Sequence, residues 1–532
     1  SAAKIIYDSA FYSGTFIPAS GVTVDYVMAT AGTLNGTFST VDVVTVDPLT
    51  GLATDHAVNA TGSTYFMGGA FEVSYAGNEF SLQIIGQGGS YPLAAGTTST
   101  NVVVDVQTGN GTVRRNANVG TVNNSQINAS AAAITAIATG PSGTDEQYVA
   151  TQMLLLTPGA FASSDVALSN AANPYALPSV TMNQLFQAGN VAMKRLMQLR
   201  ESNTPTPVAP LLSSKGGVTD QESLTAGSAV VTGNSFTSFG APLNGPTPDD
   251  GARWWSRGYG FTNSVSDDSW AKTSYSSATG GLMFGADMVL GKGFIAGAFI
   301  GYMPGTVDIT GGLVDETDTI NGANVGIYGS WVPDAGQWYV EAAAQGGYAG
   351  VDRTRDLYIP GVVRTATSDN SLWAASVNSE IGLNIRIGGD MFVQPYAAVA
   401  AGYVGQSSYT EQGAGSANLD VSSQSAVMLQ PTIGSRVMHT LRIDRDVLTP
   451  YIGSAFIANV PIGDWDVTAT NAYSATPGYS VYGSPETRYG VSFEAGVEFA
   501  SYKGITAYCS FNGMQFENEQ QYGGQIGVIV PF

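Results

Sequence analysis

The chain has a single cysteine, Cys509, among 532 residues, which excludes an intramolecular disulfide, a cysteine metal cluster and a paired-thiol redox centre. Its two histidines, His56 and His439, stand far apart and cannot form the His-x-x-x-His face of a zinc helix. Charged residues make up only 11% of the chain, and basic ones are scarcest: 20 Lys+Arg against 41 Asp+Glu give a net charge of -21. A phosphate-binding surface needs clustered cations to displace counterions, and no such cluster is visible, so nucleic acid is not an expected partner. There is no run of about 18 apolar residues, so no transmembrane helix is expected. No signal peptide opens the chain, which begins at Ser1 rather than Met. Either a leader has been removed or the chain is a piece of something longer. No nucleophile–base pair and no Gly-x-Ser-x-Gly elbow can be assembled. The expectation is therefore no catalytic residue, no cofactor and no metal site.

What is abundant is glycine, 66 residues, spread over a chain that divides by texture into four parts. Residues 1–142 carry short alternating stretches, such as Phe71-Glu72-Val73-Ser74-Tyr75 and Phe80-Ser81-Leu82-Gln83-Ile84, punctuated by Leu34-Asn35-Gly36-Thr37 and Gly86-Gln87-Gly88-Gly89. Many short strands follow, in a sandwich or a β-solenoid. Residues 143–201 change period. From Met182 to Leu199, the residues Met182, Leu185, Phe186, Met193, Leu196 and Met197 recur at roughly helical spacing, with Lys194, Arg195 and Arg200 near the end, where cations suit the helix dipole. A weaker helical stretch runs from Gln147 to Leu155. Residues 202–251 form a polar linker rich in Ser, Thr, Gly and Pro.

From Ala252 to Phe532 strict alternation repeats about a dozen times, at the period of half-buried strands. In Val491-Ser492-Phe493-Glu494-Ala495-Gly496-Val497-Glu498-Phe499 one face is apolar and the other carries Ser, Glu, Gly and Glu. Asn378, Glu380 and Gly382 continue that rule, as do Glu341, Ala343 and Gln345 and then Gln430, Thr432, Gly434 and Arg436. A soluble sandwich also alternates. Three features point to lipid instead. The runs are about 9–11 residues long, enough to cross a bilayer at a tilt. Aromatic residues mark their ends: Trp254, Trp255, Trp331, Trp338, Tyr339, Tyr348, Trp373, Tyr403 and Tyr451. Connectors alternate between tight (291–293, 333–336, 388–390) and long (410–418, 464–486), as between the two sides of an outer membrane. Closure is then obligatory, because an open sheet edge in hydrocarbon strands unpaired backbone groups.

These residues resemble a known family. Ala252-Arg253-Trp254-Trp255-Ser256-Arg257-Gly258-Tyr259-Gly260, followed by Gly280-Gly281-Leu282-Met283-Phe284-Gly285-Ala286-Asp287, is similar to the opening strands of autotransporter translocator domains (type V secretion). The terminal Ile526, Val528, Val530 and Phe532 resemble the signal read by the barrel-assembly machinery. Residues 143–201 resemble the helical segment that precedes such barrels, and residues 1–120 resemble the last rungs of a passenger β-helix. The resemblance implies a mainly β chain. A short β-helix-like or β-solenoid domain precedes an antiparallel transmembrane β-barrel of about twelve strands, plugged by the helix. It implies export and anchoring of an N-terminal passenger at the cell surface, with outer-membrane lipid and the assembly machinery as partners. A structural surface-array anchor touching neighbouring surface proteins, or a porin, are the alternatives.

Some members of that family cleave their passenger at an asparagine in the pore helix. Asn183 and Asn190 lie in that segment, but the usual asparagine pair is absent, and they read as polar residues facing a wet lumen. His56 reads as an exposed loop residue and His439 as a pore-lining or rim residue. Cys509 reads as a small lipid-facing hydrophobe beside Ile505, Ala507 and Phe511. The pairs Asp249–Asp250 and Asp267–Asp268 read as solvated turn acids rather than calcium ligands.

Overall fold

The computed structural model describes residues 2–8, 23–30, 36–47, 49–66, 69–76, 78–86, 104–108, 111–115, 144–156, 164 and 175–203. It also describes 253–531, apart from connector residues 267–273, 292, 311–312, 334–337, 389, 464, 466, 471–478, 482–486 and 503. The linker beyond Asn203, Asp249–Asp250, Asp267–Asp268 and Phe532 lie outside the described residues.

Twelve long antiparallel strands follow one another around a closed sheet. They are β1 (Arg253–Val265), β2 (Ser274–Gly291), β3 (Phe294–Thr310), β4 (Val314–Trp331), β5 (Trp338–Ile359) and β6 (Val362–Leu383). Next come β7 (Met391–Gln406), β8 (Gln424–His439), β9 (Asp446–Ile462), β10 (Arg488–Ala500), β11 (Thr506–Phe516) and β12 (Glu519–Pro531). The barrel closes where β1 pairs with β12, from Arg253 opposite Pro531 to Val265 opposite Glu519. With that seam made, no edge is left to meet hydrocarbon.

The period of two sets the faces. Along β5, Trp338, Val340 and Tyr348 point out while Tyr339, Glu341, Ala343 and Gln345 point in. Ten residue steps separate Trp338 from Tyr348, or about 26 Å of height at the usual rise and tilt, which matches the apolar band of an outer-membrane barrel. Beyond that level the outward positions turn polar: Asp352, Thr354 and Asp356 on β5, Thr365, Thr367 and Asp369 on β6. There Thr317 donates to Asp308 (3.0 Å) and Thr365 to Asp356 (2.5 Å) across strands. The outer ends of β4–β6 have left the lipid.

Aromatic rings bound the band. At the end with the short turns, Trp331 stacks on Phe294 (5.7 Å) and meets Trp338 edge-on (5.1 Å). At the other end Trp373 lies 4.7 Å from Tyr403. Three rings expected in these girdles face the lumen instead: Trp255, Tyr339 and Tyr451. The reason is local. A Cβ on Gly382 would sit 2.3 Å from the Tyr339 hydroxyl, so the ring lies flat over a glycine of the next strand.

The loop asymmetry also differs from expectation. At the loop end, β5 and β6 join through a tight Pro360-Gly361 turn, with Gly361 at φ +83, and each strand is 22 residues long. Extra strand length here replaces a long loop.

Among the described residues, two helices with assigned bounds precede the barrel. α1 (Asp145–Leu154) is capped by Thr144, whose hydroxyl accepts from Gln147 N at 3.2 Å, and Asp145 and Glu146 suit its positive end. α2 (Ala176–Asn203) runs through the barrel lumen and is longer at both ends than its periodicity suggests. At about 1.5 Å per residue its 28 residues span roughly 42 Å, enough to cross the bilayer.

The N-terminal part forms small sheets. Ala2–Asp8 pairs parallel with Thr40–Val46, which pairs antiparallel with Ala53–Val58. Thr23–Thr30, Glu79–Gly86, Gly69–Ala76 and Gly62–Phe66 make a four-stranded antiparallel sheet with Phe71, Leu82 and Ile84 buried. A β-helix is built from parallel rungs, and only the first of these pairings is parallel. The strand Gly111–Arg115 adds to Tyr479–Val481 of the loop after β9, so the N-terminal part shares a sheet with the barrel's loops.

Cys509 points outward with Ile505 and Phe511, as expected. In reconstituted liposomes a membrane-impermeant maleimide should leave it unlabelled, and full denaturation should add one label by mass. Rapid labelling of the folded, reconstituted protein would contradict this lipid-facing register.

Candidate functional site

The lumen is the candidate site, and α2 fills it. Arg195 meets Asp287 of β2 through two bonds, Nε to Oδ2 at 2.7 Å and Nη2 to Oδ1 at 2.9 Å, with both side chains almost fully buried. Lys194 pairs with Glu494 of β10. Glu494 also accepts from Arg436 Nε at 2.5 Å, and Arg436 grips Glu380 at 2.7 and 3.0 Å. Arg257 of β1 donates to the Val191 carbonyl at 2.7 Å and to Gln198. Buried charges are tolerable only when paired or hydrogen-bonded; carboxylates hold Arg195 and Arg436, while a carbonyl and an amide oxygen hold Arg257.

Amides grip the helix backbone higher up. Gln345 donates to the Leu185 carbonyl (2.6 Å), and Asn378 to the Phe186 carbonyl (3.2 Å) and to Asn190 Oδ1 (3.3 Å). Gln184 of α2 donates to the carbonyls of Gly280 (3.2 Å) and Pro304 (3.1 Å). A helix carbonyl has a second lone pair free after its own i→i−4 bond, so these contacts cost the helix nothing. The residues expected in the pore helix, Met182, Leu185, Phe186, Met193, Leu196 and Met197, all lie on α2 and are all buried. Asn183 is buried too and donates to Glu519 at 3.4 Å, so it faces protein rather than a wet lumen.

A cavity of about 110 Å³ lies between α2 and one side of the wall, lined by residues such as Lys194, Glu341, Tyr396, Gln430, Ser492 and Asn512. It has room for a few waters.

A second set of contacts covers the loop end. Arg364, on the part of β6 beyond the aromatic girdle, binds Asp47 of the N-terminal part (3.0 and 3.2 Å), Asp145 of α1 (2.6 and 2.9 Å) and the Ala414 carbonyl (2.9 Å). Burial alone would raise the Asp145 pKa, but its bonds from Arg364 and Ser416 outweigh that and hold it below the ordinary value. The Tyr148 hydroxyl donates to the Gly361 carbonyl at 2.9 Å, and a Cβ on Gly361 would run into Gln152. His56 is buried in a strand, not exposed in a loop, and its Nε2 lies 3.1 Å from both Thr45 Oγ1 and Gln152 Oε1. Burial pushes its pKa below 6.5, opposed by Gln152 and Asp55.

Ile526, Val528 and Val530 point outward on β12, and Phe532 lies outside the described residues. His439 sits at the turn-end rim of β8. Among the described residues no three His, Cys, Asp or Glu side chains gather in a metal-holding group. The residues that grip α2 and α1, above all Asp287, Arg257 and Arg364, were not expected in that role. Their one signal in the sequence is a charge at an inward position in a chain with few charges.

The family model described as autotransporter beta-domain matches residues 254–512. No curated protein sequence matches the chain. Among solved structures, the β-domain of the Bordetella autotransporter BrkA is 18% identical, with a TM-score of 0.41, over 53% of this chain and 100% of that one. The translocator domain of NalP from Neisseria meningitidis is 14% identical, with a TM-score of 0.41, over 54% and 90%. The transport unit of AIDA-I from Escherichia coli is 15% identical, with a TM-score of 0.37, over 53% and 90%.

Removing one partner of a buried ion pair strands the other charge. Asp287→Ala should therefore destabilise the folded barrel by about 3–5 kcal/mol, and Asp287→Leu with Arg195→Leu should recover most of the loss, read by thermal unfolding in detergent. The docked N-terminal part should show its own pH dependence. His56 binds a proton more weakly when buried, so docking is unaffected above its ordinary 6.5 and weakens as pH falls below it. Asp145 keeps its contribution until pH falls past its ordinary 3.8 towards its lower folded value. Limited proteolysis of the N-terminal part should thus accelerate between these two values in the parent chain and not in His56→Gln.

Proposed function

We infer that this protein, whose residues 254–512 match the family model described as autotransporter beta-domain, is an outer-membrane translocator that holds its N-terminal part at the cell surface and seals its own pore with α2. The supporting observation is the path of α2. It enters beside Trp465 of the loop after β9, 6.2 Å from Tyr175, and leaves beside Phe392 and Met438 at the turn end. One continuous helix therefore joins a folded N-terminal part at the loop end to a chain that re-enters the barrel at Arg253, at the turn end. In this reading the loop end faces outward from the cell and the turn end faces the periplasm.

The Arg364 contacts support retention over release, because they fix Asp47 and Asp145 to the rim. The same geometry would serve a surface-array anchor whose N-terminal part touches neighbouring surface proteins. The outward Ile526, Val528 and Val530, with the terminal Phe532, fit the role of a signal to the barrel-assembly machinery, and an edge of β12 open to pairing before closure on β1 suits that role.

Planar-bilayer recording tests the plug. The whole chain should conduct little, and deletion of residues 176–203 should give large, steady openings. A whole chain that already conducts steadily at high level would instead be a porin.

A further inference from the structure

The wall of the lumen, taken without its helix, is acidic. At the level of α2, Asp287, Glu341, Glu380, Glu494, Glu498 and Glu519 point inward. Four wall cations, Arg253, Arg257, Arg436 and Arg488, face them, which leaves two negative charges in excess. Lys194 and Arg195 of α2 supply two positive charges, and they land on Glu494 and Asp287. Glu498 lies by the same turn, bonded to Gln198 and facing Arg195 and Arg257.

The chain N-terminal to that turn has the opposite character. Residues 1–193 contain eleven Asp+Glu and three Lys+Arg (Lys4, Arg114, Arg115). An acidic chain does not adhere to an acidic wall, whereas adjacent cations do. The one part of the N-terminal half that stays in the lumen is thus the part whose charge complements it.

We propose that the lumen vacated by α2 is a cation-selective pore, with Asp287, Glu494 and Glu498 setting its selectivity and Lys194 and Arg195 neutralising it in the sealed state. Carboxylates confined in a narrow aqueous lumen concentrate counter-cations and exclude anions. This inference rests on the reading of α2 as a plug.

The test uses the full chain in planar bilayers under a KCl gradient. Lys194→Gln with Arg195→Gln should convert a closed barrel into one with openings, and their reversal potential should lie on the cation side. Selectivity should shrink as salt rises and the screening length falls towards ~3 Å at 1 M. Adding Asp287→Asn, Glu494→Gln and Glu498→Gln should abolish it, while Lys194→Arg with Arg195→Lys should stay closed. Should the double variant misfold, seen as loss of its compact, heat-modifiable gel mobility, openings forced in the parent chain by high voltage should carry the same cation preference. Non-selective or anion-selective openings in either protein overturn the inference, as does a folded double variant that never opens. Steady high conductance of the parent chain would instead overturn the plug itself.

Discussion

Everything in this protein depends on the hydrogen-bonded seam between β1 and β12. In hydrocarbon each unpaired backbone group costs several kcal/mol, so the sheet is viable only when closed. Closure fixes an inside and an outside, and the period of two then assigns every residue to one or the other. Ile526 and Val528 meet lipid while Gln525 and Gly527 line the lumen. An inside that is polar and narrow needs an occupant or water, and α2 supplies most of the occupant. The charges that hold α2 exist because the wall is closed and dry enough to make their pairing worthwhile.

This explains what could be read from the sequence. Barrel strands repeat a local rule, so Glu341, Gln345, Glu380, Arg436 and Glu494 could be placed on the inner face from alternation alone. The turn signals and the apolar final strand are local as well. What could not be read is pairing across distance. That Arg195 finds Asp287 depends on the rotation and depth of a helix inside a barrel, which no window of residues encodes. The extent of α2 was under-read for a related reason. A helix buried on all sides has no solvent face, so Gln184, Gln187 and Gln198 are interior residues and blur the apolar period. Trp255, Tyr339 and Tyr451 show the same limit, because a ring at a strand end can serve a membrane girdle or cover a glycine inside, and only register decides.

The N-terminal part was read least well. Its short strands and turns were visible, but strand order is a non-local property, and among the described residues one pair of N-terminal strands stacks in parallel. His56 was misplaced because its neighbours Asp55 and Ala57 look like a loop, whereas strand pairing with Val43 carries it under Gln152. The Pro360-Gly361 turn has a plain sequence signature. Its importance lies in what it carries upward, the Arg364 side chain.

That tall hairpin has a mechanical consequence. β5 and β6 stand across the barrel from the β1–β12 seam, and β10, β11 and β12 beside the seam are only 13, 11 and 13 residues long. A drag on the N-terminal part reaches the wall in part through Arg364 and Gly361, on its longest hairpin. The shear load is thereby steered away from the joint whose parting would unroll the cylinder.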